Sequence, residues 1–217
     1  MMLRNLILVP TECELKHLQP RLAQIAADAC GLIAVCGFGP ITSGICTTRL
    51  IARHAPKSVI LVGIAGALGP QLHIGVAQSF SQIGCYGIGA GSGSEYQTAG
   101  ELGWNQWTDA ESTEPVGDII QVPVTPDNAD SECPMLLTVC AASANAADVA
   151  DRLRRFPRAV AEDMEAFSVA VACRMAQIPL TVVRGISNHA GDRDKSNWNV
   201  AAALEAAAEL TASRILR

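Results

Sequence analysis

Short apolar runs rich in β-branched residues alternate along this chain with longer stretches whose apolar positions recur three and four residues apart. The runs predict strands at Asn5–Val9, Leu32–Cys36, Ser58–Val62, Ile74–Ile83, Ile119–Pro123, Met135–Cys140 and Leu180–Ile186. The longer stretches predict helices over Glu12–Leu22, Ile41–His54, Ala146–Phe156, Asp163–Gln177 and Asn197–Leu216. Leu15, Leu18 and Leu22 share one face of the first helix; Ile45, Thr48, Ile51 and Ala52 are expected to point inward from the second. Ser58–Val62 is apolar throughout, as in a parallel strand covered on both faces. Gly84–Gly103 is rich in Gly and Ser and predicts a loop or two short strands around a turn.

This alternation predicts an α/β fold: a three-layer αβα sandwich with a mainly parallel or mixed central sheet, one domain over residues 1–217. In such sheets ligands lie beyond the carboxyl ends of the strands. That rule marks Pro10–Glu14, Gly37–Pro40, Gly63–Gly66 and Ser187–Asp194, each of which directly follows a predicted strand.

The chain has 217 residues, 49% of them hydrophobic and 17% charged, which fits a globular protein and excludes intrinsic disorder. Its net charge of −5, without a Lys/Arg cluster, argues against nucleic acid as a partner. No apolar run reaches the roughly 20 residues of a bilayer span. The opening MMLRNLILVP reads as a first strand and not as a signal peptide. Eight cysteines, none in a C-x-x-C pair and most among apolar residues, predict buried free thiols in a reducing cytoplasm. Four histidines without metal-ligand spacing add no metal site, and neither a metal nor a cofactor is expected.

Four groups of residues could carry chemistry. Asp163–Gln177 is apolar almost all round, so Glu165, on a face with Val169 and Ala172, needs a partner or a purpose. Glu162 and Asp163 are read as acids that complement the positive end of that helix. Glu12 and Glu14 follow the first strand; taken alone, either is an ordinary first-turn acid, and the strand end adds a catalytic reading. Ser187–Asp194 is dense in hydrogen-bonding groups, with a turn held by an Asp–Arg ion pair as the plain alternative; His189 reads as a loop histidine. Gly63-Ile64-Ala65-Gly66 lets backbone approach a ligand. Gly87-Ile88-Gly89-Ala90-Gly91 lacks the following helix and the acid of a dinucleotide fingerprint, which weighs against a nicotinamide-dependent oxidoreductase.

Four stretches carry a resemblance: TECEL (11–15), CGFGPITSGICTTRLI (36–51), VILVGIAGAL (59–68) and FPRAVAEDMEAFSVAVACRMAQIPLTVVRGISN (156–188). In this order they resemble the purine nucleoside phosphorylase/uridine phosphorylase superfamily, and within it the methylthioadenosine/S-adenosylhomocysteine nucleosidases. The opening VPT and the tail RGISNHAGDRD…W are further similar to the futalosine hydrolases, enzymes of the futalosine route to menaquinone. Gly84–Pro134 carries none of this resemblance.

The resemblance implies a nucleoside phosphorylase-like fold and cleavage of the N-glycosidic bond of a purine nucleoside through an oxocarbenium-like transition state. It implies that Glu165 binds the ribose hydroxyls, that Met164 lies beneath the ribose, and that Glu14, more than Glu12, activates water. Asn188 stands where adenine-specific relatives carry Asp, and its amide can donate toward the N7 and 6-oxo acceptors of hypoxanthine. Glu14, Glu165 and Asn188 are thus the expected catalytic set, with Ala65, Gly66, Met164, Asp192 and Arg193 around the substrate. Leu61 and Ile64 stand where phosphorylases carry phosphate ligands, so water is the expected acceptor. A homodimer or higher homo-oligomer with its site near the interface is also implied. The competing readings are a methylthioadenosine or aminodeoxyfutalosine nucleosidase and a non-catalytic nucleoside binder.

Overall fold

The computed structural model describes residues 3–108, 114–122 and 134–215. Pro123 at the end of a predicted strand, Leu216 at the end of the predicted last helix, and Cys133 lie outside them. The strands are β1 (Asn5–Val9), β2 (Gly31–Val35), β3 (Ser58–Ala67), β4 (Ala77–Phe80), β5 (Gln82–Tyr86), β6 (Gly89–Ala90), β7 (Gln97–Thr98), β8 (Ile119–Gln121), β9 (Met135–Val139), β10 (Ala159–Asp163) and β11 (Leu180–His189). The helices are α1 (Glu12–Asp28), α2 (Pro40–His54), α3 (Ala146–Arg155), α4 (Ala166–Met175) and α5 (Val200–Ile215).

The main sheet runs β2-β1-β3-β10-β9-β5-β8, and β11 pairs with both β3 and β4. β1, β2, β3 and β11 are mutually parallel where they pair, as are β10, β9 and β5; β10 meets β3 antiparallel, and β4 and β8 add antiparallel edges. The sheet is therefore mixed and flanked by helices, as expected. β3 organises it. Its first half pairs with β1 from Asn5↔Ser58 to Leu8↔Leu61, and its end pairs with β10 at Ala161↔Ala67 and Glu162↔Gly66. Where β1 leaves and β10 takes over, the sheet opens at the carboxyl end of β1.

Alternation along the strands fills both faces. Leu6, Leu8, Leu61 and Val182 pack toward α2 and α4, whereas Ile7, Val9, Ile60, Val62 and Val183 pack toward α1 and α5. α1 begins at Thr11, whose side chain accepts from Glu14 N, and runs past Pro20 to Asp28 because Leu18, Leu22, Ile25 and Ala26 continue its buried face. It ends six residues beyond the expected Leu22, at Asp28.

Three expectations are corrected. The predicted helix Asp163–Gln177 starts later: Asp163 ends an unexpected strand, Ala159–Asp163, and α4 begins only at Ala166, with Glu165 as its N-cap. Glu165 therefore shares no helical face with Val169 and Ala172. The inward face of α2 is Ser43, Thr47 and Ile51, while Ile41 is 77% and Ile45 58% exposed, and Thr48 and Ala52 are also exposed. Small residues win that face because α2 lies close on α4: a Cβ on Gly44 would come within 3.3 Å of Ser168 Cβ. The predicted strand Ile74–Ile83 is broken at Ser81 into β4 and β5. Of the seven described cysteines, all free, Cys36, Cys85 and Cys173 are buried, but Cys13 and Cys140 are exposed. Among the described residues no helix is long and apolar enough to cross a membrane.

Candidate active site

A cavity of about 470 Å³ opens at the carboxyl ends of β1, β3, β10 and β11. Glu14, Glu162, Asp163, Glu165 and Asn188 are among its polar lining; Ile64, Ala65, Gly66 and Met164 line it as well, as do Phe38, Arg193, Lys195 and Trp198.

Glu14 is buried in the first turn of α1. Thr11 Oγ1 donates to its Oε2 at 2.6 Å, and Ile64 N donates to its Oε1 at 3.0 Å. Two donors thus fix the carboxylate and leave lone pairs for the cavity. Glu12 is exposed and does not line the cavity. The structure separates two acids that the sequence left together.

Arg184, in the middle of β11, has no exposed surface and is the functional side chain that the sequence reading missed. Its Nε and Nη2 donate to Asp163 Oδ2 at 3.1 and 2.5 Å, and Nη2 also donates to Glu165 Oε2 at 3.3 Å. Its Nη1 has no hydrogen-bond partner and points at Gly63, as does Glu14 Oε1: a Cβ there would meet both. The signal was one arginine inside the apolar run TVVRGI, a placement that needs buried acids nearby.

Asp163 accepts from Thr138 Oγ1 at 2.6 Å and from Ala166 N at 3.0 Å, so it serves the α4 terminus, as expected, as well as Arg184. Glu162 does not serve that terminus; it pairs with Arg152 of α3 at 3.0 Å and with Ser143. Glu165 Oε1 accepts from Gly39 N at 3.1 Å, where Gly39, at φ +81°, is the N-cap of α2. Burial pushes the Glu165 carboxyl up to about 7. Arg184 and the Gly39 N–H oppose that shift; Asp163 and Glu14 add to it. For Arg184, burial works against its charge, but Asp163, Glu165 and Glu14 outweigh it and hold the guanidinium above its usual range. Three carboxyl groups around one guanidinium favour positive charge in the cavity.

On β11 the register with β3 shifts between Ile186↔Ala65 and Asn188↔Gly66. This bulge at Ser187 re-aims the next side chain. Ser187 Oγ donates to Asn188 Oδ1 at 2.8 Å, and Asn188 Nδ2 donates to His189 O at 2.8 Å. One Nδ2 hydrogen remains for the cavity, above the bare Gly66.

Of the other expected residues, Ala65, Gly66 and Met164 line the cavity. Arg193 also lines it, its guanidinium 5.2 Å from the Trp198 ring centre. Asp192 does not line it: its carboxylate accepts from Asp194 N and Asn197 Nδ2, and its carbonyl from Trp198 Nε1, so it shapes the loop. No Asp–Arg ion pair holds that turn among the described residues. Leu61 is buried in the core facing α2 and α4, so only Ile64 of the two expected phosphate-position residues reaches the cavity.

Residues 126–217 match the family profile of the phosphorylase superfamily. Over 182 residues the chain is 30% identical to a futalosine hydrolase of Acidothermus cellulolyticus, covering 84% of this chain and 74% of that one. The chain belongs to the phosphorylase superfamily. Within it, the chain falls among the nucleosidases: a 5'-methylthioadenosine/S-adenosylhomocysteine nucleosidase of Tolumonas auensis is 24% identical over 162 residues, covering 75% of this chain and 70% of that one. The solved structure of a 5'-methylthioadenosine/S-adenosylhomocysteine nucleosidase from Neisseria meningitidis shares this phosphorylase-superfamily fold at a TM-score of 0.74, with 15% identity and 99% of both chains covered. That of a futalosine hydrolase from Helicobacter pylori does so at 0.71, again with 15% identity and 99% of both chains covered.

Proposed function

We propose that this chain hydrolyses the N-glycosidic bond of futalosine, releasing hypoxanthine and dehypoxanthine futalosine on the futalosine route to menaquinone. The observation that carries this choice over an adenine nucleoside is Asn188. Its oxygen is held by Ser187, which leaves an N–H to donate into the cavity toward the N7 and 6-oxo acceptors of a hypoxanthine base.

The remaining chemistry follows from the acids. Glu165 holds the ribose hydroxyls, with Met164 beneath the sugar, and the surplus of negative charge around Arg184 favours the oxocarbenium ion as the bond to the base lengthens. Glu14, fixed by Thr11 and Ile64, takes a proton from water as that water attacks the anomeric carbon. Asn188 supports the departing base. Water is the acceptor, because apolar Ile64 lies where a phosphate ligand would be needed and its N–H is already given to Glu14. The free cysteines favour a reducing, cytoplasmic setting. A second copy of the chain is the occupant we assign to the apolar face around Ile41, Ile45 and Met175; sedimentation at twice the chain mass is the expected outcome, and sedimentation at the mass of one chain would overturn it.

The second reading is a methylthioadenosine nucleosidase, favoured by relatives of that name at nearly the same identity. One experiment separates them. The protein is incubated with futalosine, aminodeoxyfutalosine, methylthioadenosine and inosine, with and without phosphate, and the released base is identified. Hypoxanthine from futalosine, unaffected by phosphate, is expected. Preferential adenine release, or a ribose 1-phosphate product, overturns the reading.

A further inference from the structure

Glu162 sits in the cavity wall without a part in the chemistry above. It is 5% exposed and forms an ion pair at 3.0 Å with Arg152, itself 6% exposed. Ser143 N donates to its Oε1 at 2.8 Å, and Ser143 Oγ to its Oε2 at 2.7 Å. Arg152 is held in turn by Ala141 O at 2.6 Å and lies 5.6 Å from the centre of the Tyr86 ring. Apolar residues of similar volume usually stabilise a buried position at least as well as such a pair. Stability is therefore a weak reason for a carboxylate here, and its exposure to the cavity is the stronger clue.

The sheet register supplies the second observation. Gly66 of β3 has Glu162 as its partner on β10 and Asn188 as its partner on β11. The two side chains thus flank one glycine, their Cα atoms about two strand spacings, or about 10 Å, apart. Gly66 offers no side chain between them, so a flat ring can lie on its backbone. At one end Asn188 has one N–H to give. At the other, Glu162 has about four acceptor positions on two oxygens and spends two on Ser143, while Arg152 Nη1 stands 3.0 Å from Oε2 as an ion pair without a hydrogen bond. One donor and one acceptor therefore face each other across a bare floor.

We infer that Glu162 determines base specificity: it accepts the N1–H of a 6-oxopurine whose N7 and O6 edge meets Asn188. This deepens the proposed function and rests on its reading of the cavity as the base pocket. A 6-oxopurine carries a proton on N1, so it donates where the carboxylate accepts. A 6-aminopurine has a lone pair on N1, which would face the carboxylate without a proton between them. Arg152 and Ser143 act through Glu162 as positioning residues.

The test is binding of free bases to the purified protein, measured by calorimetry with hypoxanthine, 1-methylhypoxanthine and adenine. Wild type is expected to bind hypoxanthine about tenfold or more tightly than either of the others, the value of one mismatched buried hydrogen bond. In Glu162→Gln, which keeps the size and can turn an amide N–H to N1, the hypoxanthine-to-adenine ratio is expected to fall by about tenfold or more. A general loss of packing would weaken both bases alike and leave the ratio in place, which overturns the inference. If Glu162→Gln does not fold, wild type decides: equal binding of hypoxanthine and 1-methylhypoxanthine overturns it. Failure of the wild type to cleave any purine nucleoside would count against the proposed function, while the base-binding ratios still decide the role of Glu162.

Discussion

Arg184 Nη2 donates to two carboxylates at once, to Asp163 Oδ2 at 2.5 Å and to Glu165 Oε2 at 3.3 Å. The asymmetry separates their roles. Asp163 also receives the arginine Nε, Thr138 Oγ1 and the first N–H of α4, so it anchors the guanidinium. Glu165 has only the longer of the two arginine bonds and one backbone donor, and it keeps acceptor positions open toward the cavity.

Arg184→Met is accordingly expected to destabilise the fold strongly. It leaves Asp163, Glu165 and Glu14 close together without their cation, and removing one partner of a buried charge pair costs about 3–5 kcal/mol. Urea unfolding measures it. A loss below about 1 kcal/mol would show that the acids take up protons at little cost and that Arg184 is not their keystone.

Glu14→Gln and Glu165→Gln should each fold and lose turnover by on the order of a hundredfold or more, since each swap keeps volume and removes a charge used in the reaction. Initial rates of base release at saturating nucleoside are the measurement. Near-normal turnover in either variant removes that residue from its proposed role.

The Glu165 carboxyl, pushed from an ordinary 4.5 up to about 7, makes stability depend on pH with a definite sign. Between these values the folded chain holds a proton that the unfolded chain has released. Its contribution is therefore complete below about pH 4.5 and is lost as pH rises through about 7. Thermal melts from pH 5 to 8 should show wild type losing stability relative to Glu165→Gln as pH rises. Wild-type kcat/KM should move the other way, rising through about 7, because the ionised carboxylate is the form that holds the ribose hydroxyls. Parallel melting curves for the two proteins would reject this assignment.

Much of this arrangement can be read from sequence, for identifiable reasons. The strand runs Asn5–Val9 and Met135–Cys140 are apolar, short and bounded by turn or polar residues, and their limits lie within one residue of β1 and β9. The stretch Ala159–Asp163 failed because a buried strand that ends in Glu-Asp looks like the acidic start of the following helix. Only the structure shows Arg152 and Arg184 arriving from α3 and β11 to pair those acids. Both pairs are long-range, with nothing local to announce them. The α2 face was misjudged for a different reason. Periodicity finds large apolar residues, whereas a close helix pair is built from Ser43, Gly44 and Thr47.

Gly63→Ala tests how closely the site is packed. A Cβ at Gly63 would meet Arg184 Nη1, would lie 2.7 Å from Glu14 Oε1 and 3.1 Å from Pro10 Cδ, and none of these groups is free to swing away. Overpacking of this kind costs about 1–3 kcal/mol. Displacing Glu14 should also lower turnover by about tenfold or more. Gly117→Ala, where a Cβ meets nothing within 4 Å, is the matched control and should change neither. Full activity in Gly63→Ala would mean that Glu14 and Arg184 can shift without consequence.

The last prediction concerns the base. Asn188→Asp keeps the oxygen that accepts from Ser187 Oγ and replaces Nδ2 with a second oxygen, so the bond to His189 O is lost unless that oxygen carries a proton. An ionised Asp would face the N7 and O6 acceptors of hypoxanthine with nothing to donate. A protonated one could serve N7, but its other oxygen would oppose O6. On a 6-aminopurine the same change improves the match, because the exocyclic amino group donates to the oxygen that opposed O6. One mismatched buried hydrogen bond costs about 1–3 kcal/mol, so the ratio of kcat/KM for futalosine to that for aminodeoxyfutalosine should fall by about ten- to a hundredfold. A purely structural effect through the lost His189 bond would depress both substrates equally. An unchanged ratio would move base selection off Asn188 and onto the opposite wall, where Glu162 stands.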